Sequence, residues 1–258
     1  MLTLNGGKPM NDFNQNKRDF LATSATAAAG LLIASASNVS AAESSSQAAP
    51  KGANWMITEI KPKPLSFNAA KLKGLSANLI ESHWTNNYSG SVKTLNAVND
   101  QLSQALANPD TPAFLYNDLK REHLIRTGSV ILHELYFDNL GGNGKADGEL
   151  RSAFAKQFGT FDRWETEFRK IAQGLGGGSG WVVLGYNTHF NKLENYWMGD
   201  HAHFPVGTVP LLVMDMYKHS YHMDFGAAAG KYIDAFFNNI NWDEVAHRLQ
   251  ATHTKTTS

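Results

Sequence analysis

From Ser76 onward, apolar and ring-bearing residues recur at three- and four-residue steps: Leu79, Ile80, His83, Trp84, Tyr88, Val92 and Leu95. That period lines one face of a helix. The stretch Asn108-Pro109-Asp110-Thr111-Pro112 ends it, because prolines among turn-forming residues cannot continue the pattern. A second helix is predicted from about Ala113 to Leu140, carried by Leu119, Leu124, Ile125, Ile131, Leu132 and Leu135, with Gly141-Gly142-Asn143-Gly144 as its stop. Two long helices joined by a short proline-bearing loop predict an antiparallel hairpin.

The second half changes period. Shorter helices are predicted at 147–157 and 161–174, the latter after Gly159-Thr160. The glycine-rich run 176–180 then precedes three strand-like segments, Trp181–Tyr186, Asn191–Trp197 and Val209–Asp215. A last helix is expected over Asp243–Thr252. Helices first and a small sheet later predict an α+β fold. The expected division is a helical hairpin over 66–142 and a C-terminal α/β domain with a three-stranded antiparallel sheet over 143–258. No internal repeat is visible.

The chain before this is a different polymer. Residues 1–41 have a polar start, an Ala-rich middle and a small-residue end. The middle falls short of the roughly 20 apolar residues a bilayer span needs, so it reads as a secretory signal. Lys17-Arg18-Asp19-Phe20-Leu21 resembles the twin-arginine export pattern, with Lys in place of the first Arg. Val39-Ser40-Ala41 is a cleavage-site pattern, which puts the mature start near Ala42 and the protein in the periplasm or otherwise outside the cytoplasm. The competing reading is a disordered Ala/Ser tail. Met10 is a second candidate start. Residues 42–65 are expected to lie extended over a surface.

Composition narrows the chemistry. Lys plus Arg and Asp plus Glu are 23 each, so the formal net charge of zero offers no bulk attraction to nucleic acid or anionic membrane. Ten histidines and no cysteine exclude disulfides, thiolate metal sites and cysteine nucleophiles. A metal here would need imidazole and carboxylate ligands, which suit Fe, Mn, Zn, Cu or Ni.

The segment LLVMDMYKHSYHMD ends an apolar run on Asp215, with His219 four residues later. A carboxylate at the edge of apolar packing is costly unless paired. Spacing alone leaves two readings open, a turn residue or a cation ligand. His83 and His133, on the two long helices, are equally open between structural histidines and ligands.

The words around these four residues carry more. Ile80-Glu81-Ser82-His83-Trp84 with Val92 and Leu95-Asn96 resembles the first-helix motif of the iron/manganese superoxide dismutases. His133 with Tyr136 and Phe137, Gly178-Ser179-Gly180-Trp181, and Leu212 to Tyr221 with its D-x-x-x-H-x-Y core are similar to further motifs of that family. So is the ending, Tyr232 to Asn238 through Asn241-Trp242. The resemblance runs from about Leu65 to Leu249, in the family's order.

It implies a superoxide dismutase with one Fe or Mn ion held by His83, His133, Asp215 and His219. Superoxide would be the small-molecule substrate, with no nucleic acid partner and no membrane span. Trp181 would wall the site, and Tyr136 and Tyr221 would support the ligand histidines. Neither of the family's glutamines is present: Ser129 stands at one of those positions and His201 at the other. His201 would then hydrogen-bond solvent at the metal; otherwise it is a surface loop histidine. Three departures stand out. Asn87 and Ser91 replace a channel His and a channel Tyr, so the channel is expected to be wider. Lys218 replaces the Glu that bridges subunits, so a dimer is expected to be weak or absent, with Lys218 turned to a carboxylate such as Asp224 or the subunits meeting elsewhere. These departures support a second reading, an exported metal-binding relative with weak or lost activity. A Zn-dependent hydrolase is a third, disfavoured because no H-E-x-x-H helix accompanies the site.

Overall fold

The computed structural model describes residues 59–254. The expected leader, its twin-arginine-like motif, the cleavage site and most of the 42–65 segment lie outside the described residues.

Helix α1 (Ala77–Ser82) starts where the Ser76 hydroxyl accepts the Leu79 amide at 3.1 Å, a side-chain cap that satisfies a free N–H at the helix start. The chain then widens into a π-helical turn, His83–Tyr88, and returns to α-helix as α2, Ser89–Ala107. The apolar period predicts a single helix here. The wider turn was not legible, because one residue of extra winding barely disturbs a three-and-four pattern. Such turns gather at functional sites, and this one begins on a candidate ligand.

Helix α3 spans Ala113–Asp138 with Pro112 at its N-cap. Tyr88 bonds to Glu134 and Ser91 to Ser129. Partners that descend as the first helix ascends mean that the helices run antiparallel. Before the hairpin, the chain at 59–65 lies across it without regular structure. Ile60 exchanges two hydrogen bonds with the Asn96 side chain, the Lys63 carbonyl accepts from the Trp84 indole at 2.9 Å, and Lys63 Nζ pairs with Glu134 at 2.6 Å.

Helices α4 (Gly148–Phe158) and α5 (Phe161–Leu175) are capped by Asp147 and Thr160, which accept the Leu150 and Arg163 amides. Strands β1 (Trp181–Asn187), β2 (Lys192–Met198) and β3 (Thr208–Asp215) form one antiparallel sheet in the order β2–β1–β3. All seven residues of β1 are buried. Its register places Trp181 opposite Asp215, and a bulge at Leu184/Gly185 leaves Leu211 on β3 without a partner, next to Pro210, where a residue without an N–H is tolerated.

After β3 come a short 3₁₀ turn, Lys218–Ser220, then α6 (His222–Phe225), α7 (Ala229–Phe237) and α8 (Trp242–Thr254). Neither α6 nor α7 was predicted as a helix. Five of the nine residues of α7 are buried, Tyr232, Ile233, Ala235, Phe236 and Phe237, and Lys231 and Asp234 mark its exposed face. At nine residues with a glycine in its first turn it is too short to show a sustained helical period.

One hydrophobic core spans hairpin and sheet, from Leu79 and Ile80 through Tyr136 and Trp164 to Trp181, Leu212 and Phe236. Asn139 is the polar bolt between them. Fully buried, its side-chain oxygen accepts the Val213 amide at 2.9 Å. Since Asn139 follows His133 on the chain and Val213 precedes Asp215, this bond fixes one half of the site against the other. Among the described residues no helix is long and apolar enough to cross a membrane.

Candidate metal centre

His83 opens the π turn, His133 lies on the buried face of α3, Asp215 ends β3, and His219 sits in the 3₁₀ turn beyond it. The structure brings all four together: one donor atom from each lies within 4.8 Å of the other three. Donors about 2.0–2.2 Å from a shared ion stand at most about 4.4 Å apart, so only a few tenths of an ångström of contraction is needed. His83 and His133 are each 1% exposed and Asp215 is wholly buried.

Hydrogen bonding supplies the decisive test of fit. Five buried side-chain polar atoms have no partner among the described residues, and three of them are His83 Nδ1, His83 Nε2 and His133 Nε2. An orphaned buried group costs roughly 1–3 kcal/mol, so two ring nitrogens left unpaired at one point, His83 Nε2 and His133 Nε2, are hard to reconcile with a purely structural cluster. Asp215 Oδ2 stands 3.1 Å from His83 Nε2, 3.1 Å from His219 Nε2 and 3.7 Å from His133 Nε2. The arrangement suits a cation that accepts lone pairs from all four.

The groups behind the donors are arranged for that role. His133 Nδ1–H donates to the Ser129 carbonyl at 2.7 Å, which leaves Nε2 as the unprotonated, ligating nitrogen. Burial and the neighbouring His83 push the His133 imidazole down to about 3, so it stays neutral. Asp215 Oδ1 accepts the Tyr217 amide at 2.7 Å, and its main-chain carbonyl accepts the Tyr232 hydroxyl at 2.6 Å. Burial opposes the Asp215 charge, but the adjacent His219 and His83 outweigh it and hold the carboxyl well below the usual range.

A profile of the iron/manganese superoxide dismutase C-terminal domain matches residues 146–248. A superoxide dismutase (Fe) of Cupriavidus metallidurans is 51% identical over 189 residues, 73% of this chain and 95% of that protein. A superoxide dismutase (Mn) of Mycolicibacterium smegmatis is 35% identical over 185 residues, covering 70% and 88%, and one of Mycolicibacterium fortuitum is 34% identical over the same shares. The chain belongs to the iron/manganese superoxide dismutase family.

Around this dismutase-family site the expected supporting residues fall into two groups. Trp181, Ser91 and His201 all lie beside the four donors. Trp181 is fully buried and meets the His133 ring edge-on, 5.1 Å between centroids. Its indole N–H donates to His201 Nδ1 at 3.0 Å, so a neutral His201 carries its proton on Nε2. His201 stacks on Tyr217 at 4.8 Å and shares with His133 and His219 the wall of a cavity of about 300 Å³. From its partly buried turn it thus faces the cavity. Ser91 lines the same cavity and is hydrogen-bonded at 2.9 Å to Ser129.

The tyrosines need correction. Tyr221 does not bond a ligand histidine; its hydroxyl accepts the Gly177 amide at 3.0 Å and its ring stacks on Tyr232. The glycine turn before β1 offers a free N–H that Tyr221 satisfies. Tyr136 packs against His83 at 5.2 Å between centroids, while its hydroxyl meets that of Tyr232 at 3.2 Å. Its support is by packing rather than by a hydrogen bond to an imidazole. Lys218 is exposed and not paired with Asp224, whose carboxylate instead accepts the Ser76 amide and hydroxyl at 2.7 Å each. Tyr217 and Tyr232, both holding Asp215, were missed. Their position within the Asp215-to-Tyr232 segment was the available signal.

Replacing His201 by Ala is expected to alter the azide-binding spectrum and lower turnover about tenfold, with metal content unchanged, as for loss of a supporting hydrogen bond. Gln should be milder, because an amide still offers a donor. Metal analysis and an azide titration on both variants check this.

Proposed function

We propose that this protein converts superoxide to dioxygen and hydrogen peroxide at one ion held by His83, His133, Asp215 and His219. The observation that carries this reading is the convergence of three imidazole Nε2 atoms, those of His83, His133 and His219, on one buried carboxylate oxygen. Two of them, those of His83 and His133, lack any other partner among the described residues. Iron or manganese bound there would supply the one-electron chemistry, taking an electron from one superoxide and giving it to a second, which with two protons becomes hydrogen peroxide.

The chain's own residues do the rest. His133, tethered to the Ser129 carbonyl, presents a fixed Nε2. Asp215 brings one negative charge that offsets the ion's. Trp181 and Tyr217 bound the His201 ring on its sides, leaving its Nε2–H as the donor in the cavity. The small cavity admits diatomic and triatomic anions and their protons by way of His201, Ser91 and Ser129.

Metal content and superoxide turnover per bound metal, measured on purified protein reconstituted with Fe and with Mn, test the reading. Turnover proportional to either metal supports it. Bound metal without turnover favours the second reading, a metal-binding relative, for which Asn87, Ser91 and Lys218 speak.

Export rests on the leader pattern in residues 1–41: secreted protein should begin near Ala42 and fractionate with the periplasm. A cytoplasmic, uncleaved chain would contradict that. Assembly rests on Lys218. An ammonium is donor-only, so it cannot accept a partner imidazole's proton, and two of them across a two-fold axis repel. Light scattering over a dilution series should show a monomer or weak dimer, strengthened by Lys218→Glu. A tight dimer indifferent to both would remove Lys218 from assembly.

A further inference from the structure

The cavity over the ligand donors is walled mostly by uncharged groups, among them Asn86, Asn87, Ser91 and Ser129. Among the described residues that line it, Arg126 alone carries a permanent charge. It precedes His133 by seven residues on α3. Two helical turns separate them, so they share a face about 10 Å apart along the axis. Arg126 Nε donates to Glu122 Oε1 at 2.6 Å, and its two Nη groups have no protein partner among the described residues. Its charge is also felt at His201, which lines the same cavity.

We propose that Arg126 is the anion-capturing group at the cavity mouth, drawing small monoanions toward the metal centre, with Glu122 setting the strength of that pull. This rests on the dismutase reading for its natural substrate, superoxide, but the chemistry is that of any small monoanion. The need is physical. Asp215 offsets part of the ion's positive charge and the centre lies buried at the cavity's end, so the uncharged groups of the channel leave an approaching anion no charge at the entrance other than Arg126. A single-sign cleft raises anion on-rates roughly 10- to 1,000-fold, and one guanidinium with two free Nη groups can supply a share of that. Glu122, bound side-on to Nε, cancels part of the field without occupying those groups. It therefore acts as an attenuator.

The test uses the metal-loaded full chain and two readouts: azide affinity from an absorbance titration, and the dependence of kcat/KM for superoxide on ionic strength. Arg126→Gln is expected to weaken azide about threefold to tenfold and to flatten the salt dependence, with metal content unchanged. Glu122→Gln should do the reverse, with tighter azide and a steeper salt slope. Arg126→Lys should fall between wild type and Gln, since it keeps the charge but not the fork. Azide affinity in Arg126→Gln within twofold of wild type, with the same salt slope, overturns the proposal. Should that variant fail to fold, unchanged azide affinity in Glu122→Gln overturns it equally. Weakened azide in a protein with no superoxide turnover would leave this inference standing and sink the dismutase reading instead.

Discussion

The Asp215→Ala protein is expected to purify without metal and without superoxide turnover, and to melt earlier than the loaded wild type. Asp215 is the one anionic donor among the four, and its Oδ2 is the point around which the three Nε2 atoms gather. Truncation also frees the Tyr217 amide that Oδ1 holds. An ion present at 1,000 times its Kd stabilises the native state by about 4 kcal/mol, and that is what the variant loses. His83→Ala, His133→Ala and His219→Ala should lose metal and turnover in the same way. Elemental analysis, turnover and melting with and without added metal check all four. A variant with full metal and full rate would remove that residue from the ligand set.

The Gly128→Ala enzyme is expected to keep its metal and lose about tenfold or more in turnover. Two effects compete. Alanine favours a helix over glycine by up to about 1 kcal/mol. Against that, a Cβ at 128 would lie 1.9 Å from the His201 carbonyl oxygen and 2.9 Å from its carbon. Those are backbone atoms, with no flexible side chain to swing aside, and forced overpacking costs about 1–3 kcal/mol. The clash wins. The chain around His201 must retreat from α3, which pulls its ring off the Trp181 indole. The discriminating measurement is a double-mutant cycle: in a His201→Ala background, Gly128→Ala should add little further loss. Full additivity would show that Gly128 acts on something else.

Much of this was written in the chain. The hairpin and both short helices follow from periodicity and turn residues, and the three strands from β-branched and aromatic runs set between turns. Trp181 and the four donors became legible only through the words around them, since D-x-x-x-H spacing is shared by ordinary turns. What stayed hidden depends on tertiary proximity. The π turn at His83 leaves the apolar period intact, and α7 is too short, with Gly230 in its first turn, to show a sustained one. Gly128 reads as a mildly unfavourable helix residue until the His201 backbone is found against it. Arg126 and Glu122 read as an ordinary i,i+4 surface pair until the cavity beside them is seen. Tyr221 stands in the expected motif, yet its hydroxyl goes to Gly177, because a side chain's partner is set by the neighbouring loop and not by its own motif.

The donors come from the start, middle and end of the described chain, and this bears on when an ion can be acquired. A growing polypeptide that stops short of His219 can offer at most His83, His133 and Asp215, and the carboxylate reaches the two imidazoles only after β3 has docked on α3. Contacts of such long sequence separation form late in folding. Loading is therefore a terminal event, and the ion captured is the one on offer in the compartment where the fold closes. A leader that carries folded cargo would have the site filled from the cytoplasmic pool before transit, whereas one that threads an unfolded chain would leave it to the periplasmic pool. For an exported chain, the route taken would then decide which pool supplies the metal.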